Sequence, residues 1–264
     1  MKSIRRGYLP EYESTLRDQG VNALGQAVID ALFLLNRGHS LKRAAHIAME
    51  HYQLTDHQRI ALTRGIASDD EIRRRSLYRL CKDDVRDKTV YLDGFNAIIL
   101  MESLVSGSPV FRCMDGAIRD LANLKGSYHI IDKTEPAIRL ILQAFDNLRI
   151  HKAIIHIDNP VSNSRNLKNL INTLAGSYHV EIDVDLIDAC DKSFYDKACV
   201  ISGDGIVIDH ARSWIPLYLW IVEEYQLDHD VWLIDFDAMS KAYRKLVNTS
   251  ELAVLNSGLH SQNS

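Results

Sequence analysis

Between Val21 and Lys82 the apolar residues recur every three or four positions, through VNALGQAVIDALFLLNRG, SLKRAAHIAMEHYQ, LTDHQRIALTRGIAS and DDEIRRRSLYRLCK. That spacing puts them on one face of a helix, so four short helices are predicted. Stops and starts agree: Gly38 follows the first helix, Ser40 can cap the second, and Thr55 with Gln58 stand at capping-box spacing. β-branched runs are missing here, and a small all-helical domain is the simplest architecture.

At Asp87 the period changes. Apolar runs of strand length now alternate with helical patterns. Strands are predicted at KTVYLDG, SPVFRCMD, GSYHIID, KAIIHIDN, YHVEIDVDLID, KACVISGD and VWLIDFD. Between them lie helices through NAIILMESLV, IRDLANL, EPAIRLILQAFDNLR, NLKNLINTLAG and SWIPLYLWIVEEY. VYLD, AIIHID and ACVIS are continuously apolar, as buried parallel strands require. The predicted fold class is α/β, a largely parallel sheet with helices on both faces, preceded by the helical domain. Boundaries fall at residues 1–86 for the helical domain and 87–255 for the α/β domain, with a polar, disordered tail at 256–264.

Composition sharpens this outline. The chain has 264 residues, 46% hydrophobic and 25% charged, enough to bury a sizeable core. No apolar run approaches the roughly 18 to 20 residues of a membrane span, and the basic N-terminus has no apolar segment behind it. A cytoplasmic protein with no membrane partner is the expectation. Four cysteines without CxxC spacing argue against a zinc ribbon or a disulfide framework. Charge is uneven: residues 1–86 carry 15 Lys and Arg against 11 Asp and Glu, whereas the remainder carries 16 against 24. A basic half that faces a polyanion, joined to a half dense in carboxylates, would look like this.

The acids of the second half fall where chemistry would use them. Asp93, Asp115, Asp158 and Asp204 each close a predicted strand, and in a parallel sheet the carboxyl ends of the strands form the edge where ligands bind. Carboxylates gathered there repel one another and call for a cation, Mg2+ or Mn2+ by their preference for oxygen ligands. Aspartate after a strand is also a common helix cap, so each one has a plain structural alternative. Gly94 beside Asp93 is expected to leave room at the site, and Asn96 adds a polar group. The loop NPVSNSRN after Asp158 offers Ser162, Asn163, Ser164 and Arg165 as substrate-binding residues at a helix N-terminus. In the basic half, Arg37, Arg43, Arg59 and Arg64 are candidates for phosphate contacts, or else ordinary solvated ion-pairing residues. The histidines form no HExxH, and no GxxxxGK[ST], GxGxxG or GxSxG motif is present.

VYLDGFN resembles the opening of PIN-like nucleases, above all the NYN branch, in which a hydrophobic strand ends in aspartate and continues with glycine, an aromatic and asparagine. CVISGDGIVID is similar to the late strand of the same family. The resemblance covers roughly residues 87 to 210 and leaves out the helical half. It implies a metal-dependent ribonuclease that hydrolyses RNA phosphodiesters, with Asp93 and Asp204 as metal ligands. For the middle acid of the pattern Glu102, Asp115, Asp120 and Asp158 compete, with Asp115 preferred and Asp158 next; Asp209 either turns back to the metal or caps a helix. The alternatives are a non-catalytic RNA- or protein-binding module on a degenerate PIN-like fold, and an α/β enzyme acting on a small phosphorylated substrate.

Overall fold

A computed structural model describes residues 4–122, 127–241 and 245; the predicted tail at 256–264 and the end of the α/β domain lie outside them. The helical half runs α1 (Tyr12–Thr15), α2 (Asp18–Leu35), α3 (Leu41–His51), α4 (Asp56–Gly65) and α5 (Asp69–Leu77). The four predicted helices are α2 to α5, and their caps are the predicted ones: Ser40 accepts from the Arg43 N–H, and Thr55 with Gln58 forms a complete capping box. Ser68 and Glu71 form another at the start of α5.

The second half follows with β1 (Thr89–Asp93), α6 (Gly94–Val105), β2 (Val110–Arg112), β3 (Ile118–Asp120), α7 (Thr134–Asn147), β4 (Lys152–Asp158) and α8 (Ser164–Ala175). It continues through β5 (Glu181–Ile187), α9 (Cys190–Ser193), β6 (Val200–Ile201), α10 (Gly205–His210), α11 (Leu217–Tyr225) and β7 (Leu233–Asp235). Four strands make one all-parallel sheet in the order β5-β4-β1-β6. β1 and β4 are central, and their inward residues Val90, Leu92, Ala153 and Ile155 are buried. Along β5, Glu181, Asp183 and Asp185 point to solvent, as suits an edge strand; Lys152 pairs with the first two, at 2.7 and 2.6 Å.

The remaining strands build a second sheet, β3-β2-β7, in which β2 is antiparallel to β3 and parallel to β7. Two predictions are corrected here. IRDLANL begins with strand β3 rather than a helix, because Val110 to Arg112 pairs with it as a hairpin. GSYHIID contributes no strand among its described residues: its Tyr128 backbone is bonded to Ser162 and Asn163 instead of a neighbouring strand.

This second sheet packs away from the first. Phe111, Cys113, Met114, Leu121, Ile234 and Phe236 share one core with Leu16, Leu24, Val28, Leu32 and Leu62 of the helical half. Gly65 shows how close that packing is, since a Cβ there would lie 2.4 Å from the Phe236 ring. The expected boundary at residue 86 therefore divides the chain but not the cores. Both halves are tied again where Leu80 donates to the Trp214 carbonyl and the Trp214 indole donates to the Arg75 carbonyl, at 2.9 and 2.8 Å.

Candidate functional site

Parallel pairing of β1 with β4 and β6 brings three of the predicted acids to one edge. Asp93 is the last residue of β1 and caps α6; it accepts from the Asn96 backbone N–H and from the Asn96 side-chain amide. Asp158 ends β4 and accepts from the Cys190 N–H at 3.4 Å. Asp204 follows β6 and caps α10 by accepting from Ile206 and Val207 at 2.7 and 3.2 Å.

A fourth acid joins them that the sequence reading passed over. Asp191, on α9, raises the pKa of Asp93 and is itself raised by burial and by Asp204 and Asp158. It is the residue that connects the others electrostatically. Asp93, 2% exposed, is pushed up to about 7, first by burial and then by Asp191 and Asp158, with the Asn96 hydrogen bond opposing. Burial likewise raises Asp158. None of the four has a lysine or arginine partner within ion-pair distance among the described residues. The signal for Asp191 was its place in DACDKSF, directly after the apolar-polar alternation of β5 ends.

Asp115 does not belong to this edge, because its strand β2 is in the second sheet. Its carboxylate, 3% exposed, is held by Arg75 at 2.7 Å and Arg119 at 2.6 Å. Burial pushes its pKa up, but Arg119 and Arg75 outweigh burial and hold it below the ordinary carboxylate range. Asp209 has the same fate: Arg75 holds both its oxygens, at 2.9 and 2.8 Å, and Arg74 adds a contact at 3.0 Å. Neither residue has a carboxylate free for a cation. Glu102 is buried against Arg6 at 2.6 Å and accepts from Tyr128 and Thr134. Asp120 keeps one oxygen on the Ala122 N–H at 2.7 Å and lies 3.9 Å from Arg64; burial pushes its pKa up to about 6.

Gly94 has a different reason from the one expected. A Cβ at this position would lie 2.9 Å from both Ile155 and Ile157, so glycine lets α6 start hard against β4. In the NPVSNSRN loop, Ser162 and Asn163 spend their side chains on the Tyr128 backbone, and Ser164 donates to the Asn159 carbonyl at 3.2 Å. These three are loop-holding residues, and Arg165 is exposed at the start of α8. Of the basic-half candidates, Arg37 stacks on Phe33, Arg59 pairs with Asp56 at 3.6 Å, and Arg43 is exposed. Arg64 is the one that reaches the site: with Asn96 and Asp204 it lines a cleft of about 550 Å³ between the helical half and the α/β half.

The four acids of this edge offer oxygen donors, which suit Mg2+ or Mn2+. No three of the acids converge on a ready-made cation cage among the described residues. A magnesium ion commonly takes one or two carboxylates and completes its shell with water and substrate phosphate, so a pair of acids from this edge fits one.

Comparison with known proteins places this architecture in a family. A model described as "Domain of unknown function (DUF5616)" matches residues 82–219, the span from the domain junction to α11. The chain belongs to that family. A second model, "Protein of unknown function (DUF434)", matches residues 23–76, the helical half. "Uncharacterized protein MJ0935" of Methanocaldococcus jannaschii is 32% identical over 188 residues, covering 70% of this chain and 89% of the relative. No solved structure matches the chain. No helix among the described residues is long and apolar enough to cross a membrane.

Proposed function

We propose that this protein is a Mg2+- or Mn2+-dependent ribonuclease that hydrolyses RNA phosphodiester bonds at the carboxyl edge of the parallel sheet. One observation carries the assignment: Asp93, Asp158, Asp191 and Asp204 are brought together from four elements with no basic partner among the described residues, while Asp115 and Asp209 of the same half are matched with arginines. Uncompensated carboxylates raise one another's pKa, and a divalent cation relieves that repulsion. The likeness of VYLDGFN and CVISGDGIVID to PIN-like nucleases supports the same reading.

Bound metal would lower the pKa of a water, align it and neutralise the charge that develops on the phosphate. Asp93 fits the role of fixed ligand, since a strand end and the Asn96 bonds hold its carboxylate in place. Asp158 at the end of β4 and Asp204 after β6 come from the elements on either side of it, and Asp191 adds negative charge from α9. Arg64 at the cleft rim is placed to meet a phosphate oxygen of the bound strand.

A second reading, a non-catalytic RNA-binding module, is favoured by the lack of a preformed three-acid cage among the described residues. Both are tested by incubating the full chain with a mixed pool of single-stranded and structured RNAs, with Mn2+, with Mg2+ or with chelator. Metal-dependent cutting that Asp93→Asn abolishes supports the nuclease. A folded wild type that binds the pool without cutting it, and shows no metal heat by calorimetry, selects the binding module.

A further inference from the structure

Beside the acids, the 550 Å³ cleft contains polar groups that the fold leaves unused. Tyr218 is 3% exposed, lines the cleft, and its hydroxyl has no hydrogen-bond partner among the described residues. A buried hydroxyl without a partner costs free energy that a ligand can recover. Asp120, also in the lining, accepts the Ala122 N–H on Oδ1 and no hydrogen bond on Oδ2 among the described residues. Asp93 and Asp120 add to burial in raising the Tyr218 pKa. The cleft is continuous with the catalytic edge, because Asn96 and Asp204 stand in its wall. Its volume lies within the roughly 300–1,000 Å³ of small-ligand sites, which excludes a duplex and admits one unstacked nucleotide.

We propose, resting on the ribonuclease assignment, that this cleft receives a single guanine nucleotide of the RNA, with Asp120 accepting from the base edge and Tyr218 facing its carbonyl. The chemistry of the four bases makes the choice. Guanine presents two adjacent donors, N1–H and N2–H, next to the O6 acceptor, whereas adenine and cytosine would turn a ring-nitrogen lone pair towards the carboxylate. Uracil offers one N–H flanked by two carbonyls that a carboxylate repels. A guanine held here sets its phosphate towards Asn96 and Asp204, which makes Asp120 and Tyr218 specificity-determining residues.

The test is equilibrium titration of the full chain with GMP, AMP, CMP and UMP in chelator, followed by cleavage-site mapping on mixed-sequence RNA. GMP should bind about tenfold or more tighter than the other three, the discrimination of a good base-edge pair. Asp120→Asn should erase the preference. Tyr218→Phe, which removes a hydroxyl the fold does not use, should keep the wild-type melting temperature and weaken GMP several-fold. Equal binding of all four, no binding of any, or an unchanged preference in Asp120→Asn overturns the assignment. If RNA is not cut but GMP is preferred, the nuclease reading falls and the guanine site stands; if RNA is cut without base preference, the reverse holds.

Discussion

Two groups of aspartates in this molecule stand in opposite electrostatic states. At the seam between the two halves, Asp115 and Asp209 are neutralised by Arg75, Arg74 and Arg119, and their pKa values fall. At the carboxyl edge of the parallel sheet, Asp93, Asp158 and Asp191 have no such partners among the described residues, and their pKa values rise. Paired acids hold elements together, whereas unpaired acids held close are a strain that a cation can relieve. The difference separates structural carboxylates from candidate catalytic ones more reliably than their position after a strand.

The contrast can be broken first at the edge. Asp93→Asn should lower metal-dependent RNA cleavage by at least about a hundredfold, the order of loss when a charge-stabilising group is removed from an active site, while Asp115→Asn should act on stability ahead of chemistry. Single-turnover cleavage with denaturation curves for both variants checks this; equal cleavage by the Asp93 variant and wild type would sink the assignment of the edge.

The seam gives the next effect in size. Arg75→Met leaves two buried or half-buried carboxylates short of their main partner, and loss of one member of a buried ion pair costs about 3–5 kcal/mol. Urea unfolding reads it directly, and an unchanged midpoint would show the network to be dispensable.

pH sharpens the comparison further. Asp93 has a folded-state pKa of about 7 against roughly 3.9 in an unfolded chain. Between those values the folded protein holds the proton more tightly, so this contribution to stability is complete below about pH 4 and is lost as pH rises to 7. Asp93→Asn should remove that slope and melt on the order of 5 °C higher than wild type at pH 8 in chelator, with little difference at pH 4. Mn2+ should raise the wild-type melting temperature at pH 8 and leave the variant unmoved. Parallel pH profiles for the two proteins would contradict the burial of an uncompensated charge at this position.

Smallest is the effect of the exposed arginines. Arg43→Ala should leave stability at the wild-type level and change RNA affinity by less than about twofold, while Arg64→Ala, in the cleft wall, should weaken binding and reduce its salt dependence by about one phosphate contact. Filter binding at several salt concentrations separates the two.

Much of the fold was legible because it rests on periodicity. The α2 to α5 helices and their caps followed from spacing and from Ser40, Thr55 and Gln58, and the strands VYLD, AIIHID and ACVIS followed from continuous apolar runs. Sheet membership was not legible. VFR and LID read as strands like the others, and nothing local to them says that they pair with each other beside the helical core. Asp115 was misplaced for that reason, and its arginine partners come from positions 75 and 119, one of them forty residues away. Asp191 was missed because it lies on a four-residue helix with no periodic signature. Gly94 was read as open space, although its neighbours Ile155 and Ile157 arrive from a strand some sixty residues later.

The helical half also carries a consequence for how the chain acquires its structure during synthesis. Its core is closed by Ile234 and Phe236, and the Trp232 indole donates to the Leu16 carbonyl across 216 positions of sequence. Helices translated first must therefore wait for a segment that follows them by 171 residues at Gly65 and Phe236 and by 216 at Leu16 and Trp232, a late and entropically expensive closure. Until then the apolar face of α2 and α4 is without the Phe236 ring that fits against Gly65, and that surface stays open to water.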